Sequence, residues 1–300
     1  MNPQELRKKF SGVVAFPITP FSTDGTLDLP GLRRNLQHLF SHPPCAVVAA
    51  GGTGEIYSLT PEENVAVVRT VAEETAGRCP VIAGVGFNSA LGAALAKNAA
   101  AAGADGILAF PPYYPQPEPD GIVDYYRAIA DATPLGLIIY TRDWANYTPE
   151  MAERLASIPN LVAWKDGQGD IRRYQMIQNR LGDRFYWIGG AGDDLVSAYY
   201  SMGIRTFTSS VANVAPRLSW ELHKLAAAAD TKELPKLMRE LVLPLYVMRG
   251  RRKGYEVSAM KSMMELIGLA GGPVRPPLVN LRPAERDEIA ELLKRWKPWL

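Results

Sequence analysis

Short apolar runs recur along the first two thirds of the chain, separated by longer stretches in which apolar and polar residues mix. The runs are Gly12–Phe16, Ala46–Ala49, Val81–Gly84, Gly106–Ala109, Gly136–Tyr140, Leu161–Trp164, Phe185–Ile188 and Ile204–Phe207. Within each run the apolar character is continuous rather than alternating, which is how strands covered on both faces read. The stretches between them carry helix start signals. Thr60-Pro61-Glu62-Glu63 and Thr148-Pro149-Glu150 each offer a hydroxyl N-cap, a proline in the first turn and an early carboxylate. Ser89 and Asp170 are further N-cap candidates, and Gly103 suits the C′ position after an alanine-rich helix over 90–102. Eight strand–helix units in about 210 residues predict an α/β fold of the (β/α)8 TIM-barrel type. A doubly wound open sheet is the alternative, but Gly84-Val85-Gly86-Phe87-Asn88-Ser89 lacks the third glycine of its dinucleotide fingerprint.

Beyond residue 215 the pattern turns to helix after helix, over Leu218–Ala229, Glu233–Met248, Val257–Ile267 and Pro283–Trp296. Helical sequence resumes after Gly271-Gly272-Pro273-Val274-Arg275-Pro276-Pro277, so this stretch reads as a rigid turn and not as a linker. The expected organisation is a barrel over residues 1–214 with a helical extension over 215–300 packed on it.

Charge changes the picture mainly by exclusion. With 33 basic and 31 acidic side chains in 300 residues, the net charge of +2 leaves no footprint for nucleic acid or an anionic membrane. The basic cluster Arg249-Gly250-Arg251-Arg252-Lys253 has no aromatic interleaving and no second cluster, so it reads as a solvated loop. No apolar run approaches the ~20 residues of a membrane span. The segment Met1–Lys9 is polar and lacks a signal-peptide apolar region. Cys45 and Cys79 form no CxxC pair and read as reduced thiols of a cytoplasmic protein. His38, His42 and His223 lack metal-ligand spacing, so no metal is expected.

Barrel enzymes place their chemistry at the carboxyl ends of the strands. Those ends here include Gly51-Gly52-Thr53-Gly54-Glu55, Pro111-Pro112-Tyr113-Tyr114, Tyr140-Thr141-Arg142, Lys165-Asp166-Gly167 and Thr208-Ser209-Ser210. Lys165 closes the apolar segment Leu161–Trp164. Taken alone, it reads first as a strand-end side chain reaching back to water. As a nucleophile it must be neutral, and only roughly one ordinary lysine in a thousand is neutral near pH 7. Burial against Leu, Val and Trp disfavours the ammonium form. Gly51–Gly54 is either a tight turn or a carboxylate cradle of close backbone amides, with the Thr53 hydroxyl as a further donor. Tyr140 either packs or moves protons. Arg142 either holds a carboxylate or sits in solvent. Ser209 and Ser210, with no histidine nearby in sequence, are poor nucleophiles but serve as candidate substrate contacts.

Ala50-Gly51-Gly52-Thr53-Gly54-Glu55, Ser58-Leu59-Thr60-Pro61-Glu62, Pro112-Tyr113-Tyr114, Tyr140 and Lys165-Asp166-Gly167 occur in an order that resembles the dihydrodipicolinate synthase and N-acetylneuraminate lyase superfamily. The resemblance covers nearly the whole chain. It implies a cofactor-free, Schiff-base-forming barrel acting on 2-oxo acids as a homotetramer. By position, Lys165 matches the imine-forming lysine, Tyr140 the catalytic tyrosine, and Thr53 with its flanking amides from Gly52 and Gly54 the carboxylate site. Tyr113 and Tyr114 match a tyrosine pair, one member of which enters a neighbouring subunit's site in relatives.

Gly52 stands where synthases carry a proton-passing hydroxyl, and Ala145 where they carry an arginine. With Lys253-Gly254-Tyr255 and the Gly272–Leu278 segment, these departures look most like the 5-dehydro-4-deoxyglucarate dehydratase branch. That resemblance implies decarboxylating dehydration to 2,5-dioxopentanoate, with a small 2-oxo sugar acid as the only partner besides the subunits themselves. An aldolase or synthase of the same family is the alternative activity, and a catalytically idle 2-oxo-acid sensor is a third reading.

Overall fold

The computed structural model describes residues 1–300. Each apolar run forms a strand: β1 (Gly12–Ala15), β2 (Ala46–Ala49), β3 (Val81–Phe87), β4 (Gly106–Pro112), β5 (Gly136–Thr141), β6 (Leu161–Asp166), β7 (Tyr186–Ile188) and β8 (Thr206–Ser209). All neighbours pair in parallel, in the order β7-β6-β5-β4-β3-β2-β1-β8. The two ends of this order meet at Gly189, just past β7, which bridges Phe207 of β8. Its amide donates to the Thr206 carbonyl at 2.9 Å and its carbonyl accepts from the Thr208 amide at 2.8 Å. The sheet is thus closed, as a (β/α)8 TIM barrel.

The continuous apolar strands are explained by two separate cores. Val14, Val48, Ile82, Leu108, Ile138, Val162 and Ile188 fill the barrel interior. Their chain neighbours Val13, Val47, Ala83, Ile107, Leu137 and Leu161 point outward into a much larger cluster beneath the helices. Strands buried on both faces have no polar side to alternate with.

The helices are α1 (Pro3–Arg7), α2 (Leu29–Leu39), α3 (Pro61–Thr75), α4 (Ser89–Ala101), α5 (Pro119–Asp131), α6 (Pro149–Leu155) and α7 (Ile171–Leu181). They continue with α8 (Val196–Ser201), α9 (Pro216–Ala227), α10 (Glu233–Leu237), α11 (Leu243–Arg249), α12 (Tyr255–Leu266) and α13 (Pro283–Trp296). No helix is long and apolar enough to cross a membrane. Thr60, Thr148 and Asp170 cap helices as their sequence signals predict, with Thr60 and Glu63 forming a capping box. At α4 the cap is Asn88, whose carboxamide accepts from the Leu91 amide at 2.9 Å, so Ser89 is the first helical residue instead. The segment read as one helix over Glu233–Met248 is broken by a π-helical turn over Met238–Val242. Pro244 supplies the reason, since it has no N–H and its ring displaces the carbonyl four residues back.

The glycines of Gly84-Val85-Gly86 serve packing within the barrel. A Cβ on Gly84 would lie 2.1 Å from the Ala50 carbonyl oxygen, so only glycine lets the turn after β2 approach β3. At the amino end of the barrel, Leu6 of α1 is fully buried against Gly106 and Gly136 and closes the bottom of the inner core.

Candidate active site

The carboxyl ends of the strands open into a cavity of about 540 Å³. Lys165 and Tyr140 are cross-strand partners in the β5–β6 register, so they enter this cavity side by side. Strand β6 runs one residue past Lys165, and the lysine is 3 % exposed. Its Nζ donates to the Gly190 carbonyl at 2.9 Å and lies 3.4 Å from the Tyr140 ring centroid. Gly190 is glycine by necessity, because a Cβ there would sit 2.4 Å from Lys165 Cγ. Burial pushes the Lys165 amine well below the ordinary lysine range, and the nearby Arg142 guanidinium pushes the same way against the opposing pull of Asp166. Burial also raises the Tyr140 phenol, partly countered by Arg142. At neutral pH the pair therefore shifts toward a neutral amine beside a neutral phenol, which can accept and return a proton.

Asp166 is held away from the lysine's job. Its carboxylate accepts from the Tyr199 hydroxyl at 2.7 Å and from the Gln168 and Gly169 amides at 2.9 and 3.2 Å. These bonds fix the turn after β6 and, through it, the aim of Lys165.

The Gly51–Glu55 turn borders the cavity through Gly52 and Thr53. Neither of their amides donates to any group of the chain, which leaves two N–H donors free at the cavity wall. Ala50 (φ 48°) and Glu55 (φ 55°) flank the turn in the left-handed region, a strained conformation for non-glycine residues. What holds it is a buried ion pair. Glu55 meets Lys261 of α12 at 2.5 Å, with the two side chains 0 and 2 % exposed, in an ionic contact without hydrogen-bond alignment. Lys261 also donates to the Pro273 carbonyl at 2.8 Å. Arg275 extends the clamp with two contacts to Glu63, at 2.6 and 2.7 Å. The predicted rigid turn is thus a brace between α12 and the glycine loop. Gly54 does not reach the cavity; it is packed under Pro17 and Gly51 and its carbonyl accepts from Thr19 at 2.7 Å.

Arg142 borders the cavity, its Nε bonded to Asp143 at 2.7 Å. It lies over Gly52, where a Cβ would come within 3.2 Å of Nη1. Ser209 borders the cavity too, but its hydroxyl is consumed by buried partners, Asp193 and Ser219. Ser210 accepts from Arg249 at 2.9 Å. Tyr113 and Tyr114 lie outside the cavity, 86 and 71 % exposed, because the β4 loop carries them outward. Tyr113 instead flanks a smaller groove of about 240 Å³ with Trp144. Ala145 is fully buried beneath the helices, so that position does not face the cavity.

Several bordering residues escape the sequence reading. Gly190, Gly192 and Asp193 follow β7, where the Gly189-Gly190-Ala191-Gly192-Asp193 run is the signal in the sequence of a close-approach turn at a strand end. Asp193 is fully buried and accepts from the Tyr246 hydroxyl at 3.0 Å. The basic run Arg249–Lys253, expected to be a solvated loop, instead rims the cavity with Tyr246 and Glu256. It ends α11, and the turn into α12 folds it over the barrel mouth. Cys45 and Cys79 are free thiols, each pushed up to about 12 by burial.

A closed parallel barrel with an amine of depressed basicity beside a phenol at its mouth is the architecture of imine-forming lyases. A model described as the dihydrodipicolinate synthetase family matches residues 9–296, and the chain belongs to that family. It is 40% identical over 299 residues to a protein of Bradyrhizobium diazoefficiens named "Probable 5-dehydro-4-deoxyglucarate dehydratase", covering 98% of this chain and 95% of that one. A protein of Ralstonia nicotianae with the same name is 40% identical over 95% of this chain and 93% of its own. The crystal structure of dihydrodipicolinate synthase from Oceanobacillus iheyensis superposes with a TM-score of 0.92 at 31% identity, covering 99% of this chain and all of the other.

Proposed function

We propose that the chain is a decarboxylating hydro-lyase that converts 5-dehydro-4-deoxy-D-glucarate to 2,5-dioxopentanoate, water and CO2. The observation that carries this reading is Lys165, buried and poised against Tyr140 at the barrel mouth. The names of the relatives support the choice of substrate.

The 2-oxo-acid carboxylate rests on the free Gly52 and Thr53 amides, with Arg142 above them. Neutral Lys165 adds to the ketone, and loss of water gives an iminium, which acidifies the adjacent methylene. Tyr140 assists that proton transfer. The enamine expels the β-hydroxyl as water and becomes a conjugated imine. The distal carboxylate leaves as CO2, and its bonding electrons flow into that imine. Protonation at carbon, enol-to-aldehyde tautomerisation and hydrolysis release the product and free Lys165. The imine supplies the electron sink, so the scheme calls for no cofactor.

Incubation with 5-dehydro-4-deoxyglucarate tests the proposal. CO2 together with 2,5-dioxopentanoate is the expected outcome. Pyruvate among the products would identify an aldolase instead, and tight binding without turnover a sensor.

A pH profile tests the roles of Lys165 and Arg142. The amine acts only when deprotonated, so kcat/KM rises with pH as Lys165 loses its proton. Its lowered pKa places that limb below the range of an ordinary lysine. Arg142→Gln removes a charge that disfavours the ammonium, so the limb moves to higher pH. A shift to lower pH would contradict this electrostatic role.

The exposed Tyr113 and Tyr114 suit a homotetramer in which one of them enters a neighbour's site. We further assign the enzyme to the cytoplasm and to glucarate catabolism, and treat residues 215–300 as a helical extension of the barrel formed by 1–214.

A further inference from the structure

Four arginines border the cavity: Arg142, Arg249, Arg251 and Arg252. Three of them already have a carboxylate, with Arg142 on Asp143 at 2.7 Å, Arg251 on Glu288 at 2.7 Å and Arg252 near Glu285 at 4.0 Å. Arg249 has none within ion-pair distance. The oxygens of nearby Asp193 are taken by the hydroxyls of Ser209 and Tyr246 and by the Ser210 amide. Glu256, the other acid at the rim, turns to the Gly254 amide at 2.9 Å.

Arg249 is nonetheless fixed in place. Its guanidinium lies 4.4 Å from the Tyr246 ring centroid and Nη1 donates to Ser210 at 2.9 Å. Its Nε is closed off from the cavity, whereas Nη2 is not buried and donates to no group of the chain. A guanidinium fixed by one hydroxyl and one ring, with a donor unspent at a cavity wall, is pre-oriented for an anionic ligand.

We infer that Arg249 receives the distal carboxylate of the substrate and so selects 2-oxo acids that carry a second carboxylate. This inference rests on the functional reading above for the placement of the ketone at Lys165. Lys165 and Arg249 border the same cavity of about 540 Å³. Four carbon–carbon bonds separate the ketone carbon from the distal carboxylate carbon, a zigzag of about 5 Å.

The contact is full-strength with the bound carboxylate and weakens as neutral CO2 forms, so it lowers KM and, where carbon–carbon cleavage limits turnover, lowers kcat as well. Arg249 is a specificity residue, not a driver of carbon–carbon cleavage.

The test compares two six-carbon 2-oxo acids, 2-oxoadipate and 2-oxohexanoate, which differ only in the terminal carboxylate. The readout is the half-saturating concentration for borohydride trapping, with pyruvate as the short reference. The wild-type protein should favour 2-oxoadipate over 2-oxohexanoate by about tenfold or more, the worth of one charge-assisted hydrogen bond. Arg249→Gln should erase that preference and leave pyruvate unchanged, while Arg249→Lys should retain part of it. A preference that survives in Arg249→Gln overturns the inference, as does an equal loss for pyruvate or a wild type that never distinguishes the two acids. The trapping needs no dehydration or CO2 release. A failure of the proposed reaction therefore shows separately, as trapped 2-oxoadipate without turnover of the sugar acid.

Discussion

Lys165→Ala is expected to lower turnover by at least about four orders of magnitude, the scale on which loss of a covalent nucleophile acts. The barrel should remain folded. The truncation leaves no orphaned charge, and the Gly190 carbonyl keeps its bond from Thr208. The checks are CO2 release and borohydride trapping in the presence of substrate. In the wild type, mass should be added to the peptide containing Lys165, and in the variant to none. The informative competitor is Lys261, the other deeply buried lysine, which is committed to Glu55 and to the Pro273 carbonyl. Mass found there, or turnover surviving in Lys165→Ala, would remove the imine assignment.

The second large effect concerns stability. Lys261→Ala leaves the Glu55 carboxylate buried without its counter-charge, at a cost of about 3–5 kcal/mol. For a chain of this size that corresponds to a fall in the melting midpoint of roughly 10 °C. The loss should carry into function, because Glu55 terminates the strained turn that presents the Gly52 and Thr53 amides. Replacing both partners, as Glu55→Gln with Lys261→Met, should recover part of the midpoint, since no uncompensated charge remains. Differential scanning calorimetry of the wild type and the two variants checks this. An unchanged midpoint in Lys261→Ala would mean that the pair does not brace the loop.

Much of this molecule was legible in its sequence, for identifiable reasons. Strands buried on both faces leave continuous apolar runs, and all eight were visible. The errors fell at their ends, where Lys165 proved to lie within β6 and β8 began at Thr206 instead of Ile204. Lys165, Tyr140, Gly52 and Thr53 are local signals, each beside its own strand, and the fold brings them to one cavity. Ser209 misled because a strand-end hydroxyl looks the same in sequence whether it faces a substrate or, as here, Asp193 and Ser219. Arg249 was unreadable for a different reason. Its position depends on α11 folding back over the mouth, a contact between residues 39 apart that periodicity does not encode. The Glu55–Lys261 pair belongs to the same class, since nothing near Lys261 in sequence announces a partner two hundred positions earlier.

The seam between β7 and β8 has its own consequence. The shortest stave, three residues long, meets its neighbour through the single Gly189 bridge, and the Tyr199 ring sits where any larger residue would project. That same tyrosine ties Asp166 to the Ala191 amide. If this joint loosened, the cask would bare two unpaired edges to other chains, and the grip on the turn that aims the amine would slacken in the same motion. Aggregation and loss of chemistry would then share one origin.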